Sequence, residues 1–242
     1  IVKYVSATDI GLLREENQDM VKVQEFYGNI LAAVCDGMGG ERSGQDASRI
    51  AIQEFFNRFD EGFSPELDTI GVRQLMTASI SAANSIVYTT ARMNYRSFGM
   101  GTTCVAAYVD KEYIYIINVG DSRAYYIDES GIHLITSDHT LVNLLLMQGK
   151  IAPDEVSSHP KRNMLTKAVG VEKTVKPDFF RMKRENKFMI LLCSDGLSGY
   201  CSDSEIYEVI KSTPVDEVSR ALTDLALSKG GRDNITLAVI TD

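Results

Sequence analysis

Two apolar runs constrain this 242-residue chain more than any other feature. Ile30 to Cys35 and Phe188 to Cys193 are unbroken stretches rich in Ile, Leu and Val, the pattern of strands buried in a core. Each ends in the same way: Asp36-Gly37 closes the first and, after Ser194, Asp195-Gly196 closes the second. A carboxylate so placed sits at the rim of the core, and the glycine leaves the backbone free to turn sharply away. A third Asp precedes a closing strand in Gly231-Arg232-Asp233-Asn234-Ile235-Thr236. A fourth lies in the strand-to-strand turn Val119-Gly120-Asp121-Ser122-Arg123. Four carboxylates in such positions point to convergence on cations.

With 44% hydrophobic and 24% charged residues, the chain suits one large domain over residues 1–242 with a substantial core. A formal net charge of -8 and the lack of any Lys/Arg-rich run exclude a general nucleic-acid surface. Cys35, Cys104, Cys193 and Cys201 form no C-x-x-C pair, and two lie inside apolar strands. They read as buried reduced thiols rather than zinc ligands or disulfides. No secretory leader is visible, and no apolar run approaches the roughly 18 residues needed to span a bilayer. A cytoplasmic monomer without membrane insertion is the expectation.

Hydrophobic periodicity gives the order of elements. Val2 to Thr8 and Met20 to Gln24 alternate as strands, with turns at Asp9-Ile10-Gly11 and Tyr27-Gly28-Asn29. Helical spacing takes over from Gln45 to Phe59 and from Ile70 to about Met93, where Val72, Leu75, Met76, Ile80, Ala83, Val87 and Ala91 form one stripe. Strand patterns return at 102–109, 113–118, 124–127 and 132–136, joined by turns short enough for antiparallel hairpins. Further strands read from Lys176 to Met182, Lys187 to Ser194 and Asn234 to Ile240. Before the last strand come two helices. The capping box Ser202-Asp203-Ser204-Glu205 opens one; Thr213-Pro214 opens the other, which Gly230-Gly231 ends.

This order predicts an α+β fold: a central antiparallel β-sandwich flanked by helix pairs, in four layers α-β-β-α. Residues 137–170 interrupt it. They hold a short apolar helix (Leu141 to Met147), then Gly149, Pro153 and Pro160, and an irregular insertion of this length is usually functional or mobile.

The carboxylates carry the chemistry. Hard divalent cations such as Mg²⁺ and Mn²⁺ take oxygen ligands, which Asp36, Asp121, Asp195 and Asp233 supply and to which the Gly37 carbonyl can add. Without cations such a group is costly, since two carboxylates about 4 Å apart repel by about 4 kcal/mol at an effective dielectric near 20. Arg14, in the polar segment before a strand, offers a guanidinium able to grip phosphate oxygens at two points. Its alternative is a surface ion pair with Glu15 or Glu16.

Taken in order, Arg14-x-x-Asn17-Gln18-Asp19, Asp36-Gly37-Met38-Gly39-Gly40, Gly101-Thr102-Thr103, Gly120-Asp121-Ser122-Arg123, Ser194-Asp195-Gly196-Leu197 and Gly231-Arg232-Asp233-Asn234 resemble the metal-dependent protein serine/threonine phosphatases of type 2C, in their bacterial branch. Each motif is short, but the ordered set spans nearly the whole chain. The resemblance implies hydrolysis of phosphoserine and phosphothreonine in proteins by a metal-activated water, opposing a serine/threonine kinase. It implies Mn²⁺ or Mg²⁺ as cofactor, with two core ions and a weaker third. Asp36 would bridge the core ions, Gly37 would offer its carbonyl to one, and Asp195 and Asp233 would hold the other. Asp121 with Asp195 would form the third site, Asp19 would order water, and Arg14 would bind the substrate phosphate. Residues 137–170 fall where the family carries a flap linked to substrate choice. His159 in that flap is a candidate substrate contact, whereas His133 and His139 have no metal-ligand spacing.

One departure stands out. Many relatives have Asp-Gly-His where this chain has Asp36-Gly37-Met38, and methionine cannot donate the proton that histidine is proposed to give the leaving oxygen. Two rival readings fit less well. A phosphoaspartyl hydrolase of the haloacid-dehalogenase type needs a second Asp at position 38 and alternating parallel units. A non-catalytic phosphoprotein-binding module would not need every ligand position intact.

Overall fold

The computed structural model describes residues 2–40, 43–93 and 95–242. Among them the strands form two antiparallel sheets. The first runs β1 (Lys3–Asp9), β11 (Ile235–Thr241), β10 (Met189–Cys193), β7 (Arg123–Asp128) and β8 (Gly131–Leu134). The second runs β2 (Asp19–Phe26), β3 (Asn29–Met38), β5 (Cys104–Val109), β6 (Tyr113–Val119) and β9 (Asp178–Lys183), with the short β4 (Gly101–Thr102) against the end of β3. Helices α1 (Ser43–Gly62) and α2 (Thr69–Met93) cover the second sheet; α5 (Asp203–Ser212) and α6 (Val215–Ser228) cover the first. The four-layer sandwich read from the sequence is the architecture observed.

Alternation within the apolar runs explains why they are continuous. In β3, Ile30, Ala32 and Val34 face the opposing sheet, while Leu31, Ala33 and Cys35 face α1 and α2. In β10, Ile190 and Leu192 point between the sheets, and Leu191 and Cys193 point to α5 and α6. Both faces are covered, so both need apolar side chains. All four cysteines are free and buried. Among the described residues no helix is long and apolar enough to cross a membrane.

The helix ends follow local chemistry. Ser202 and Glu205 form the reciprocal box, the Ser202 hydroxyl accepting from Glu205 N at 3.3 Å and Glu205 Oε2 accepting from Ser202 N at 2.9 Å. Ahead of α6 the cap position is Pro214 rather than Thr213, and no side chain caps that end.

The two Asp-Gly ends differ from the sharp turns expected. β3 runs on through Asp36 and Gly37 to Met38, and Asp195 opens a one-turn helix, α4 (Asp195–Ser198). Neither glycine has a positive φ. Each is needed because another backbone crosses it: a side chain at Gly37 would overlap the Gly44 carbonyl, and one at Gly196 the Asn234 carbonyl. Close packing, not conformational freedom, selects glycine here.

The 137–170 insertion contains α3 (Leu141–Met147), capped by the Thr140 hydroxyl accepting from Asn143 N at 3.3 Å, and a 3₁₀ turn at Pro153–Glu155. Its ends are tied down. Thr140 bridges Leu165, and Val169 exchanges backbone hydrogen bonds of 2.8 and 3.0 Å with Thr102.

Candidate metal centre and active site

The strand ends deliver the carboxylates to one place. Thr102 and Thr103 clamp the Asp36 backbone: Thr103 Oγ1 accepts from Asp36 N at 2.9 Å, and the Asp36 carbonyl accepts from Thr102 Oγ1 at 2.9 Å and Thr103 N at 2.8 Å. Asp19 stands directly opposite Asp36 in the β2–β3 register. Its buried carboxylate accepts from the Ser194 hydroxyl at 2.7 Å, and Ser194 Oγ in turn accepts from Thr236 N at 3.1 Å. One chain of bonds thus links Asp19 on the second sheet to the residue preceding Asp195 on the first.

Asp121 sits in a turn held by His139. The Gly120 N–H donates to His139 Nδ1 at 3.0 Å, and His139 Nε2 reaches Asp178 Oδ2 at 3.1 Å. Because Nδ1 accepts, the ring carries its proton on Nε2. Asn234 fastens the N-terminal loop over the site, its Oδ1 accepting from Gln18 N at 2.9 Å and its Nδ2 donating to the carbonyls of Ile10 and Glu16. Arg14 pairs with Asp233 at 2.8 Å, rather than standing as a Glu15 or Glu16 partner.

Arg14, Asp36, Gly37, Asp121, Asp195 and Asp233 all line a single cavity of about 280 Å³, together with Gln18, Met38, Thr103 and Asn234 and, from the insertion, Asn163 and Leu165. Asp19 lies just behind. His159 is outside this lining: its Nδ1 accepts from Lys161 N at 3.1 Å inside a local turn, and the insertion presents Asn163 and Leu165 to the cavity in its place.

Electrostatically the cavity is short of positive charge. Burial, followed by repulsion from Asp19 and Asp195, holds the Asp36 carboxyl well above the usual range. Burial likewise pushes Asp19 and Asp121 up to about 7, and Asp195 up to about 6, each helped by neighbouring carboxylates. One oxygen of this set, Asp195 Oδ1, is buried with no hydrogen-bond partner. Hard oxygen donors, mutual repulsion and an orphaned carboxylate oxygen together fit a divalent cation. Among the described residues no three His, Cys, Asp or Glu side chains are already closed around one point as an ion's ligands; the carboxylates face a shared space.

Comparison with known proteins gives the lineage. The family profile described as protein phosphatase 2C matches residues 14–228. The chain belongs to the protein phosphatase 2C family. Within that family it is 34% identical over 235 residues to the serine/threonine phosphatase stp of Listeria welshimeri, covering 96% of this chain and 93% of the relative. The 2C fold is shared with a serine/threonine phosphatase structure from S. agalactiae, at a TM-score of 0.93 and 33% identity over 99% of both chains. It is shared too with the catalytic domain of the phosphatase PstP in complex with 2 manganese ions, at a TM-score of 0.86, 31% identity and coverage of 99% and 97%.

Some residues of this 2C site escape a motif reading. His139 looks like a lone loop histidine in sequence, yet it fixes the turn that carries Asp121. Its sole signal is its place 18 residues after Asp121 at the start of the insertion, which is too little to assign it.

Proposed function

We propose that this chain, a protein phosphatase by family, hydrolyses phosphoserine and phosphothreonine in proteins with the help of Mn²⁺ or Mg²⁺, reversing the work of a serine/threonine kinase. It acts as a cytoplasmic monomer whose residues 1–242 form one catalytic domain. The observation that carries this reading is the meeting of Asp36, Asp121, Asp195 and Asp233 in one cavity, with an unpartnered buried oxygen on Asp195. Asp36, the Gly37 carbonyl, Asp195 and Asp233 would hold two core ions, and Asp121 with Asp195 a weaker third. The PstP structure with its 2 manganese ions supports two as the core number.

When bound, the ions supply positive charge that neutralises the carboxylates and polarises water and phosphoryl oxygen. The protein's own groups do the rest. Arg14, half exposed at the cavity mouth, grips the phosphate oxygens and offsets charge as the ester bond to the serine or threonine oxygen breaks. Asp19, fixed by Ser194, orients water in front of Asp36. Thr102 and Thr103 keep Asp36 from swinging away, which holds the attack geometry. No side-chain nucleophile is needed, and Cys35 and Cys193 are buried in the core with thiols pushed above their ordinary range, Cys193 to about 12.

The test is phosphate release from a phosphothreonine peptide. Activity in Mn²⁺ that disappears in EDTA and returns on adding the metal back is the expected result; full activity after rigorous chelation overturns the metal-dependent reading.

A further inference from the structure

A second cavity, of about 440 Å³, adjoins the carboxylate cavity and takes no part in the chemistry above. Met38 and Leu165 line both, so the two spaces share a wall. Away from that wall Ala168, Val171 and Val175 give it an apolar side, while Thr166, Glu172 and Thr174 line the rest. Lys167 and Lys176 also line it.

The pocket is built rather than incidental. Gly101 has no side chain, and the space a Cβ would take is filled by Met38 Cε and Val171 Cγ2, each 2.8 Å from that point. Those two side chains therefore lie together over the β4 backbone. The segment carrying Val171 is pinned from below by Asn84 of α2, which is 1% exposed. Asn84 Oδ1 accepts from Gly170 N at 2.7 Å, and its Nδ2 donates to the carbonyls of Glu172 and Lys173 at 3.0 and 3.2 Å. A buried amide spent wholly on this segment keeps the pocket open in advance of any ligand. Val171 is nonetheless 41% exposed, an apolar surface beside a polar catalytic cavity.

We propose that this pocket is a substrate subsite. It takes an apolar side chain of about leucine size from the residue adjoining the phosphoserine or phosphothreonine in a protein substrate. The inference rests on the phosphatase reading and deepens it. A volume above about 300 Å³ is ample for such a side chain. A phosphorylated residue in the carboxylate cavity places its chain neighbour at the Met38–Leu165 wall, which the two cavities share. The charges around it offset one another, Glu172 facing the same space as Lys176 and Lys167 being paired with Asp178 at 3.4 Å, so the apolar side sets the choice of ligand. Met38 then has a use that does not involve protons: it is the partition between the phosphate and the side chain beside it.

Kinetics on paired phosphothreonine peptides tests this, with leucine or glycine on each side of the phosphothreonine in turn, and with p-nitrophenyl phosphate as a substrate that cannot reach the pocket. The wild-type protein in Mn²⁺ is expected to favour a leucine peptide over its glycine counterpart by about tenfold in kcat/KM on one side. Val171→Asp is expected to erase that preference while leaving p-nitrophenyl phosphate turnover unchanged. Equal kcat/KM for all wild-type peptide pairs overturns the subsite alone, as does an undiminished leucine preference in Val171→Asp. Loss of p-nitrophenyl phosphate turnover in the wild type overturns the phosphatase reading and the subsite with it.

Discussion

The Arg14 guanidinium donates from Nη2 to Asp233 Oδ2 at 2.8 Å, so the cation proposed for the substrate phosphate is tethered by a carboxylate proposed for a metal. The tether positions Arg14 while its half-exposed side chain can still turn toward a ligand. Arg14→Ala should lower kcat/KM for a phosphothreonine peptide by about 10²-fold, the scale for removing one preorganised donor. The apparent Mn²⁺ affinity should hold or improve, because Asp233 loses a competing cation. Arg14→Lys should recover only part of the rate, since an ammonium lacks the planar fork. Metal titrations of the three proteins at fixed peptide check this, and an Arg14→Ala protein with wild-type kcat/KM removes Arg14 from the site.

Burial and crowding leave the metal-free protein with carboxyl groups that hold protons more tightly folded than unfolded. Asp195 is raised to about 6 and Asp19 and Asp121 to about 7, with Asp36 raised by the same causes. The folded state then binds more protons than the unfolded one, so stability declines as pH rises. The contribution is full below the ordinary carboxylate range near about 4 and is lost by about pH 7. In EDTA the melting temperature should therefore fall between about pH 5 and about pH 8. Asp36→Asn should melt higher than wild type at the upper end, having shed a repelled charge, yet gain less from Mn²⁺. An EDTA melting temperature that climbs across this range refutes the crowding account.

Asp121 rests on a turn whose support does not involve its own carboxylate. Gly120 is held by both its N–H and its carbonyl to His139, and the Ser122 hydroxyl pairs with Thr103 Oγ1 at 2.6 Å. Asp121→Ala should leave the melting temperature of the metal-free protein unchanged or slightly raised and remove only the weakest ion. Calorimetric titration with Mn²⁺ should show one fewer weak site; an unchanged stoichiometry sinks the third-ion assignment.

Gly196→Ala tests whether packing or backbone freedom selects the glycine after Asp195. A methyl group there would overlap the Asn234 carbonyl oxygen, and Asn234 is fixed by bonds to Ile10, Glu16 and Gln18. Nothing nearby is a flexible side-chain tip that can retreat. A loss of about 2–3 kcal/mol in urea unfolding is expected, the upper part of the usual overpacking range. A cost under roughly 0.5 kcal/mol, ordinary for a neutral surface change, shows that the crossing is looser than described.

What was legible in the sequence follows from how local each signal is. The Ser202–Glu205 box and the Leu141–Met147 helix are set by neighbours within a few residues, and both appear where the pattern puts them. The runs at Ile30 and Phe188 announce burial on two faces, which already demands a layered fold. Gly37 and Gly196 misled for the opposite reason. Their constraint comes from Gly44 and Asn234 crossing in space, and no local pattern distinguishes a crossed glycine from a turning one. His159 and His139 exchange importance on the same ground: the first is satisfied by its own loop, the second by Gly120 and Asp178. The four carboxylates were readable as a set because strand ends at one edge of a sandwich have few places to go.

Met38 stands where the resemblance drawn from the sequence leads us to look for a histidine, and replacing it separates two losses. Its side chain reaches the carboxylate cavity, so an imidazole there would stand where a proton is needed by a departing serine or threonine oxygen. That oxygen is a poor leaving group, whereas p-nitrophenolate departs without help. Met38→His should therefore raise kcat on a glycine-flanked phosphothreonine peptide, by up to about 10²-fold, and barely change p-nitrophenyl phosphate turnover. The new rate should fall at low pH as the water-activating side of the site protonates and at high pH as the imidazole loses its proton. On leucine-flanked peptides the gain should be smaller, because the same substitution removes the methionine that walls off the apolar pocket. Equal changes on the aryl and peptide substrates show that proton donation is not what methionine withholds, and leave water as the donor in this enzyme.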